Sequence, residues 1–184
     1  MTVHQRPPHT DFKDAREFEE HVAAMLRPHT HGIVTKFDSV NDLDIWVPGL
    51  FLDVKEKRQR YGPRFQALWP ELDERNMFIV DELSVRRALE KDARCTYFLI
   101  RDLPGGDRMF VVSALELAVG NKVRANRQTS SKPDRFKGKW VVDLAGCRRL
   151  PALDQLFEFV MSDMEQMPWK QSECLSQVAE VQST

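Results

Sequence analysis

Apolar residues recur at helical spacing near both ends of the chain and in short strand-like runs between them. Phe18, Val22, Met25 and Leu26 share one face of a predicted helix over residues 11–27. Acidic residues sit near its start, where the helix dipole favours them, and Pro28 stops it. Leu153, Leu156, Phe157, Val160 and Met161 give a second amphipathic helix over 153–167. Residues 32–37 read as a strand. Within 42–57, two runs rich in Ile, Val, Leu and aromatics flank Pro48-Gly49, which predicts a hairpin. Residues 77–80 form a short apolar run, and 84–91 a helix with Ser84 as N-cap. Residues 96–101 and 108–113 are two strands joined by Pro104-Gly105-Gly106, and 140–144 is a last strand. Residues 61–74 read as irregular, and 121–139 as a polar, basic loop.

This order predicts an α/β fold with a mixed β-sheet flanked by helices. Residues 1–10 read as a loose arm, 11–168 as the domain and 169–184 as a weakly patterned tail. The 184 residues suit one domain, and 42% hydrophobic content supports a core. No apolar run approaches a membrane span, so no membrane partner is expected. The first twenty residues lack the apolar stretch of a secretory signal. Cys95, Cys147 and Cys174 lack a CxxC spacing, which points to reduced thiols and a cytoplasmic location.

The candidate chemistry lies in the hairpin. With the turn at Pro48-Gly49, Val47 faces Leu50, Trp46 faces Phe51, Ile45 faces Leu52 and Asp44 faces Asp53. Alternation then places Asp42, Asp44, Asp53 and Lys55 on one face, with Leu43, Ile45, Leu52 and Val54 on the other. Two carboxylates directly opposite one another repel. A hard divalent cation such as Mg2+ would resolve that conflict, and Lys55 beside it could orient a water or offset phosphate charge. A solvated hairpin edge with one Asp-Lys pair is the plainer reading of the same residues.

Asp44 followed by Asp53-Val54-Lys55 resembles the signature of the PD-(D/E)xK, or restriction endonuclease-like, nuclease superfamily. Its pattern is a Glu-bearing first helix, three strands carrying Asp on the second and (D/E)-x-K on the third, then a helix and another strand. The resemblance spans about residues 14–58 at motif level and extends to 113 by element order. It identifies Glu19, in Phe18-Glu19-Glu20-His21-Val22, as the best match for the helix carboxylate, with Glu20 and Glu17 as alternatives. Leu43 stands where the family often has Pro, and Asn41-Asp42 is an alternative match for the second-strand Asp.

The resemblance implies a nuclease that hydrolyses phosphodiester bonds of nucleic acid, DNA foremost. Glu19, Asp44, Asp53 and the Val54 carbonyl would hold Mg2+, with Mn2+ as a substitute, and Lys55 would orient the water. Gln59, four residues beyond Lys55, is a weaker site candidate. A homodimer is also allowed, although no face in the sequence marks one.

Lys+Arg total 27 and Asp+Glu 28, which excludes a globally basic binder but not a local basic surface. Residues 121–139 hold Lys122, Arg124, Arg127, Lys132, Arg135, Lys137 and Lys139 against Asp134 alone. Lys57, Arg58, Arg60 and Arg64 follow the hairpin. These two runs are candidate nucleic-acid contacts, or solvated surface. A non-catalytic nucleic-acid-binding or assembly module is the competing reading. His29-Thr30-His31 lacks a third ligand nearby and reads as a surface loop. Trp46 and Phe51 read as hairpin packing or as base contacts.

Overall fold

A computed structural model describes residues 8–37, 42–129 and 132–166. The first helix, α1 (Pro8–Leu26), starts three residues earlier than its spacing predicts. Phe18, Val22, Ala23 and Leu26 are its buried face, so Ala23 takes the place expected for Met25. A 3-10 turn over Arg27–Thr30 closes it. There the Thr30 hydroxyl donates to the Leu26 carbonyl at 3.1 Å, and His31 adopts a left-handed φ of 51°.

Two short strands, β1 (Thr35–Lys36) and β2 (Ile45–Val47), lead into β3 (Leu50–Lys57). The β2–β3 register is the predicted one: Ile45 pairs with Leu52, Trp46 with Phe51 and Val47 with Leu50. Gly49 has φ of 81°, the value a Pro-Gly type II turn demands at its third residue. A short helix α2 (Pro63–Gln66) and strand β4 (Met77–Asp81) follow, then α3 (Glu82–Asp92). The helix begins at Glu82 rather than after Ser84, directly out of the strand. The Asp81 carboxylate makes no capping bond and pairs instead with Lys139.

Strands β5 (Thr96–Asp102) and β6 (Arg108–Ser113) match their predicted spans. The turn between them needs Gly105, because a Cβ there would lie 2.0 Å from the Asp102 carboxylate. Helix α4 (Ala114–Val119) was not expected. It is nucleated by a capping box in which the Ser113 hydroxyl accepts from the Glu116 N–H and the Glu116 carboxylate accepts from the Ser113 N–H.

The expected basic loop is corrected. Residues 122–129 and 132–143 are strands β7 (Lys122–Thr129) and β8 (Lys132–Asp143), paired as an antiparallel hairpin. Val123 and Ala125 alternate with the cations, and Trp140, Val141 and Val142 supply the opposing apolar strand. Strand β9 (Arg148–Leu150) and helix α5 (Leu156–Gln166) complete the described chain; Leu153 lies in a 3-10 turn that precedes α5.

The protein is α/β, with a mixed six-stranded sheet in the order β1-β2-β3-β5-β6-β9 flanked by helices. β3 and β5 are parallel, and the other pairings are antiparallel. A second sheet, β4-β8-β7, packs on one side. One core cluster joins α1 and α5 to the first face of the large sheet through Leu52, Val54, Tyr97 and Leu99. Another joins α3, α4 and the small sheet to the second face through Phe98, Ile100 and Phe110. Tyr97 to Ile100 are all fully buried, as a central strand covered on both faces requires. No helix of the described residues is long and apolar enough to cross a membrane.

Candidate carboxylate–lysine site

The site forms where β2 ends and β3 runs on. The ladder extends one residue past β2, because the Asp44 N–H donates to the Leu52 carbonyl at 3.1 Å. On β1's side the Phe37 N–H donates to the Asp44 carbonyl at 3.0 Å. Beyond Asp44 the strands part. The Asp44 carboxylate then reaches across and accepts the Val54 N–H at 2.6 Å.

Asp53 is buried at 3% exposure, and its carboxylate accepts a hydrogen bond from the Lys55 ammonium. The same ammonium lies 3.4 Å from Asp44 Oδ2 and 3.4 Å from the Val54 carbonyl oxygen. Three oxygens, two anionic and one carbonyl, therefore converge on one cationic point. The structure brings Asp44 to this point, whereas Asp42 is exposed and faces Lys91 at 3.5 Å.

The electrostatics follow from burial. Desolvation pushes the Asp53 carboxyl up, the Lys55 ammonium opposes this, and the Asp44 carboxylate beside it adds to the rise. For Lys55, burial works toward a lower pKa, but the Asp53 and Asp44 carboxylates outweigh it and the net shift is upward. Lys55 is charged at neutral pH, and the cluster it belongs to carries one excess negative charge when both carboxylates ionise.

Glu19 projects from α1 toward this end of the sheet. Burial raises its pKa, and the field of Asp44 raises it further. Lys36 stands 3.8 Å from Glu19 and bonds Glu20 at 2.6 Å. Glu17 is exposed. Lys36 was not anticipated: the strand expected over 32–37 is confined to Thr35–Lys36, and the Glu20 that it bonds comes from α1, sixteen residues away.

Among the described residues, no group of three His, Cys, Asp or Glu side chains stands ready to hold a metal ion. The donor set does fit a cation that keeps several waters. Mg2+ commonly takes one or two carboxylates, and Asp44, Asp53 and the Val54 carbonyl supply hard oxygens aimed at one point. Glu19 lies at the margin of that set.

The basic candidates separate. The expectation that Lys57 touches a phosphate is corrected: it is 2% exposed. Its ammonium donates to the Glu74 and Arg75 carbonyls at 3.0 and 3.3 Å, and it stands 3.9 Å from Asp102. Arg58 bonds Glu56 at 3.0 Å and is half-buried, whereas Gln59 and Arg60 are exposed. Lys122 is drawn onto the Ala118 and Gly120 carbonyls and over the Trp140 ring at 4.7 Å. Arg124 pairs with Glu82 at 2.8 Å, and Lys139 with Asp81. Lys137 is exposed. The side chains of Arg64, Arg127, Lys132 and Arg135 lie outside the described residues, as do the tail 169–184 and most of the arm 1–10.

His29 stacks on Phe157 at 5.2 Å and pairs with Glu158 at 3.0 Å, so it docks α5 rather than serving a metal. Comparison with protein-family models, with curated proteins and with solved structures returned no match to this chain.

Proposed function

We propose that this chain is a Mg2+-dependent nuclease that hydrolyses phosphodiester bonds of nucleic acid, DNA foremost, on a restriction endonuclease-like core. The observation that carries the reading is the convergence of Asp44 Oδ2, Asp53 Oδ1 and the Val54 carbonyl on the Lys55 ammonium. The element order supports it as well. A Glu-bearing helix α1 precedes β1, β2 and β3, and α3 and β5 follow, with β4 diverted into the second sheet.

In this reading Asp44, Asp53 and the Val54 carbonyl would hold Mg2+ or Mn2+, with Glu19 assisting from α1. The bound ion supplies Lewis-acid stabilisation of the charge that develops on the phosphoryl oxygens and lowers the pKa of a water. Asp44 is fixed for this work by the Val54 N–H, so its carboxylate does not need to reorganise. Asp53 is fixed by burial. Lys55, whose ammonium stands at the same oxygens, would be the group beside the attacking water or the phosphate. Its positive charge would favour the hydroxide form of the water and offset phosphate charge.

One observation favours a second reading, a non-catalytic nucleic-acid-binding module: the Lys55 ammonium already sits at the point where the oxygens converge and offsets one of the two carboxylate charges. Incubation with plasmid, linear and single-stranded DNA and with RNA, in Mg2+ or in EDTA, separates the two. Cleavage in Mg2+ alone supports the nuclease. Salt-sensitive binding without cleavage in either condition supports the module and overturns the enzyme.

A further inference from the structure

The carboxylate pair has an aromatic neighbour on the same face of the sheet. Phe37 lies across from Asp44, and Trp46 lies across from Phe51 one step further along the hairpin. Alternation puts Phe37, Asp44, Trp46, Phe51 and Asp53 on one face, with successive rows about 7 Å apart. The Trp46 and Phe51 rings are 6.5 Å apart at 48°. The Lys91 ammonium, from α3, stands 5.7 Å from the Phe37 ring and 5.6 Å from the Phe51 ring.

Phe51 packs against the second core cluster. Phe37 and Trp46 are only partly buried, and among the described residues neither packs against any of the three buried clusters. Two large rings are thus left partly open to water beside a pair of acids, and the Lys91 cation stands over one of them, Phe37. Burial of these rings would be favourable, yet the fold leaves it incomplete.

We propose that this face receives an unpaired nucleobase, so that the preferred substrate is single-stranded nucleic acid. The inference rests on the nuclease reading and names its substrate class. A base is the planar group attached nearest to any scissile phosphodiester. Stacking on an aromatic ring accepts every base, because each has a π face. In an intact duplex those faces are covered by neighbouring bases, whereas in a single strand they are available. Lys91, about 41% exposed and paired with exposed Asp42, supplies a positive charge for the phosphate next to the stacked base.

The test is an anisotropy titration in EDTA, where cleavage does not occur, with labelled oligothymidine and with a duplex of the same length. Trp46→Leu keeps apolar bulk and removes the ring, and Trp46→Tyr restores a ring. Wild type should bind the single strand more tightly than the duplex. Trp46→Leu should weaken single-strand binding by about ten-fold or more and leave duplex binding nearly unchanged. Trp46→Tyr should recover most of the loss. Equal single-strand affinity in wild type and Trp46→Leu, or a duplex preference in wild type, overturns the inference. Should Trp46→Leu fail to fold by circular dichroism, Phe37→Leu carries the same expectations. Mg2+-dependent cleavage by wild type with unchanged single-strand binding in the variant sinks the stacking face alone. Ring-dependent single-strand binding without cleavage supports the face and sinks the nuclease reading.

Discussion

The carboxylate of Asp44 accepts the backbone N–H of Val54 at 2.6 Å, across the point where β2 leaves β3. In a continuing ladder a backbone carbonyl would take that proton. Here a side chain takes it, so the main chain of β3 sets the direction of the acid. Asp44→Ala removes the acceptor from a half-buried donor and should destabilise the fold by about 1–3 kcal/mol. Asp44→Asn keeps an oxygen in place and should cost less. Both should lose Mg2+-dependent cleavage. Thermal unfolding of the two variants checks the order, and an Asp44→Ala midpoint equal to wild type would show that the bond contributes nothing.

The Lys55 ammonium fills the point on which the three oxygens converge, so it competes with any added cation. Lys55→Met keeps much of the side-chain bulk and leaves Asp44 and Asp53 to repel each other. Without metal, this variant should melt below wild type at pH 8. Added Mg2+ should raise its midpoint by more than it raises that of wild type, because an ion that binds only the folded state stabilises it by mass action. Cleavage should nevertheless slow by about 10²- to 10⁴-fold, the contribution of a positioned proton-transfer group. A smaller Mg2+ shift in Lys55→Met than in wild type would mean that the ammonium assists the cation rather than excluding it.

The hairpin was legible over residues 45–47 and 50–52 because Pro48-Gly49 fixes turn and register. That is why the Asp44, Asp53 and Lys55 cluster could be placed from spacing alone. Beyond Asp44 the alternation fails, and Leu43, expected on the face of Ile45, Leu52 and Val54, packs in the cluster of the opposite face. Residues 121–139 were not legible as strands, because a dense charge count hid the alternation of Val123 and Ala125. The cations there are tolerated because Glu82, Asp81 and the Trp140 ring hold them. Lys57 was misplaced for the opposite reason. Alternation put it correctly on the Lys55 face, but nothing local shows that Asp102 and residues 74 and 75 bury that face further along. α4 carried a readable signal, Ser113 with Glu116 three residues on, that the apolar run of β6 obscured.

Lys57 offers a control for the basic surface. It is enclosed by the Glu74 and Arg75 carbonyls, Asp102 and the Tyr61 ring, 5.2 Å away. Lys57→Met leaves two carbonyls short of a donor and removes one cation from buried Asp102, which keeps Arg108. The cost should fall near the lower end of the ~3–5 kcal/mol typical of a broken buried pair. The salt dependence of nucleic-acid binding should not change, since the group never meets solvent. Arg60→Ala, at an exposed position, should leave the melting temperature alone. A flatter salt slope in Lys57→Met would return that residue to the binding surface.

The two tyrosines of the chain, Tyr61 and Tyr97, should both resist ionisation. Burial pushes the Tyr61 phenol up to about 12, although the Ile79 N–H donating to its oxygen works the other way. Burial also raises Tyr97, and its hydroxyl donates to Asp163 at 2.8 Å, which favours the protonated form further. An unfolded tyrosine ionises near pH 10. Between that value and about 12 the folded chain keeps protons that the unfolded chain loses, so unfolding is favoured as pH rises. The stability due to these phenols is complete below pH ~10 and is lost as pH climbs through the folded values. Ultraviolet titration of the folded protein should therefore show almost no tyrosinate at pH ~11, and denaturant at the same pH should release both signals. Tyr97→Phe should halve the released signal and weaken the loss of stability with pH. One tyrosine titrating near pH 10 in the folded protein would mean that either the Tyr61 loop or the Tyr97–Asp163 contact opens to water.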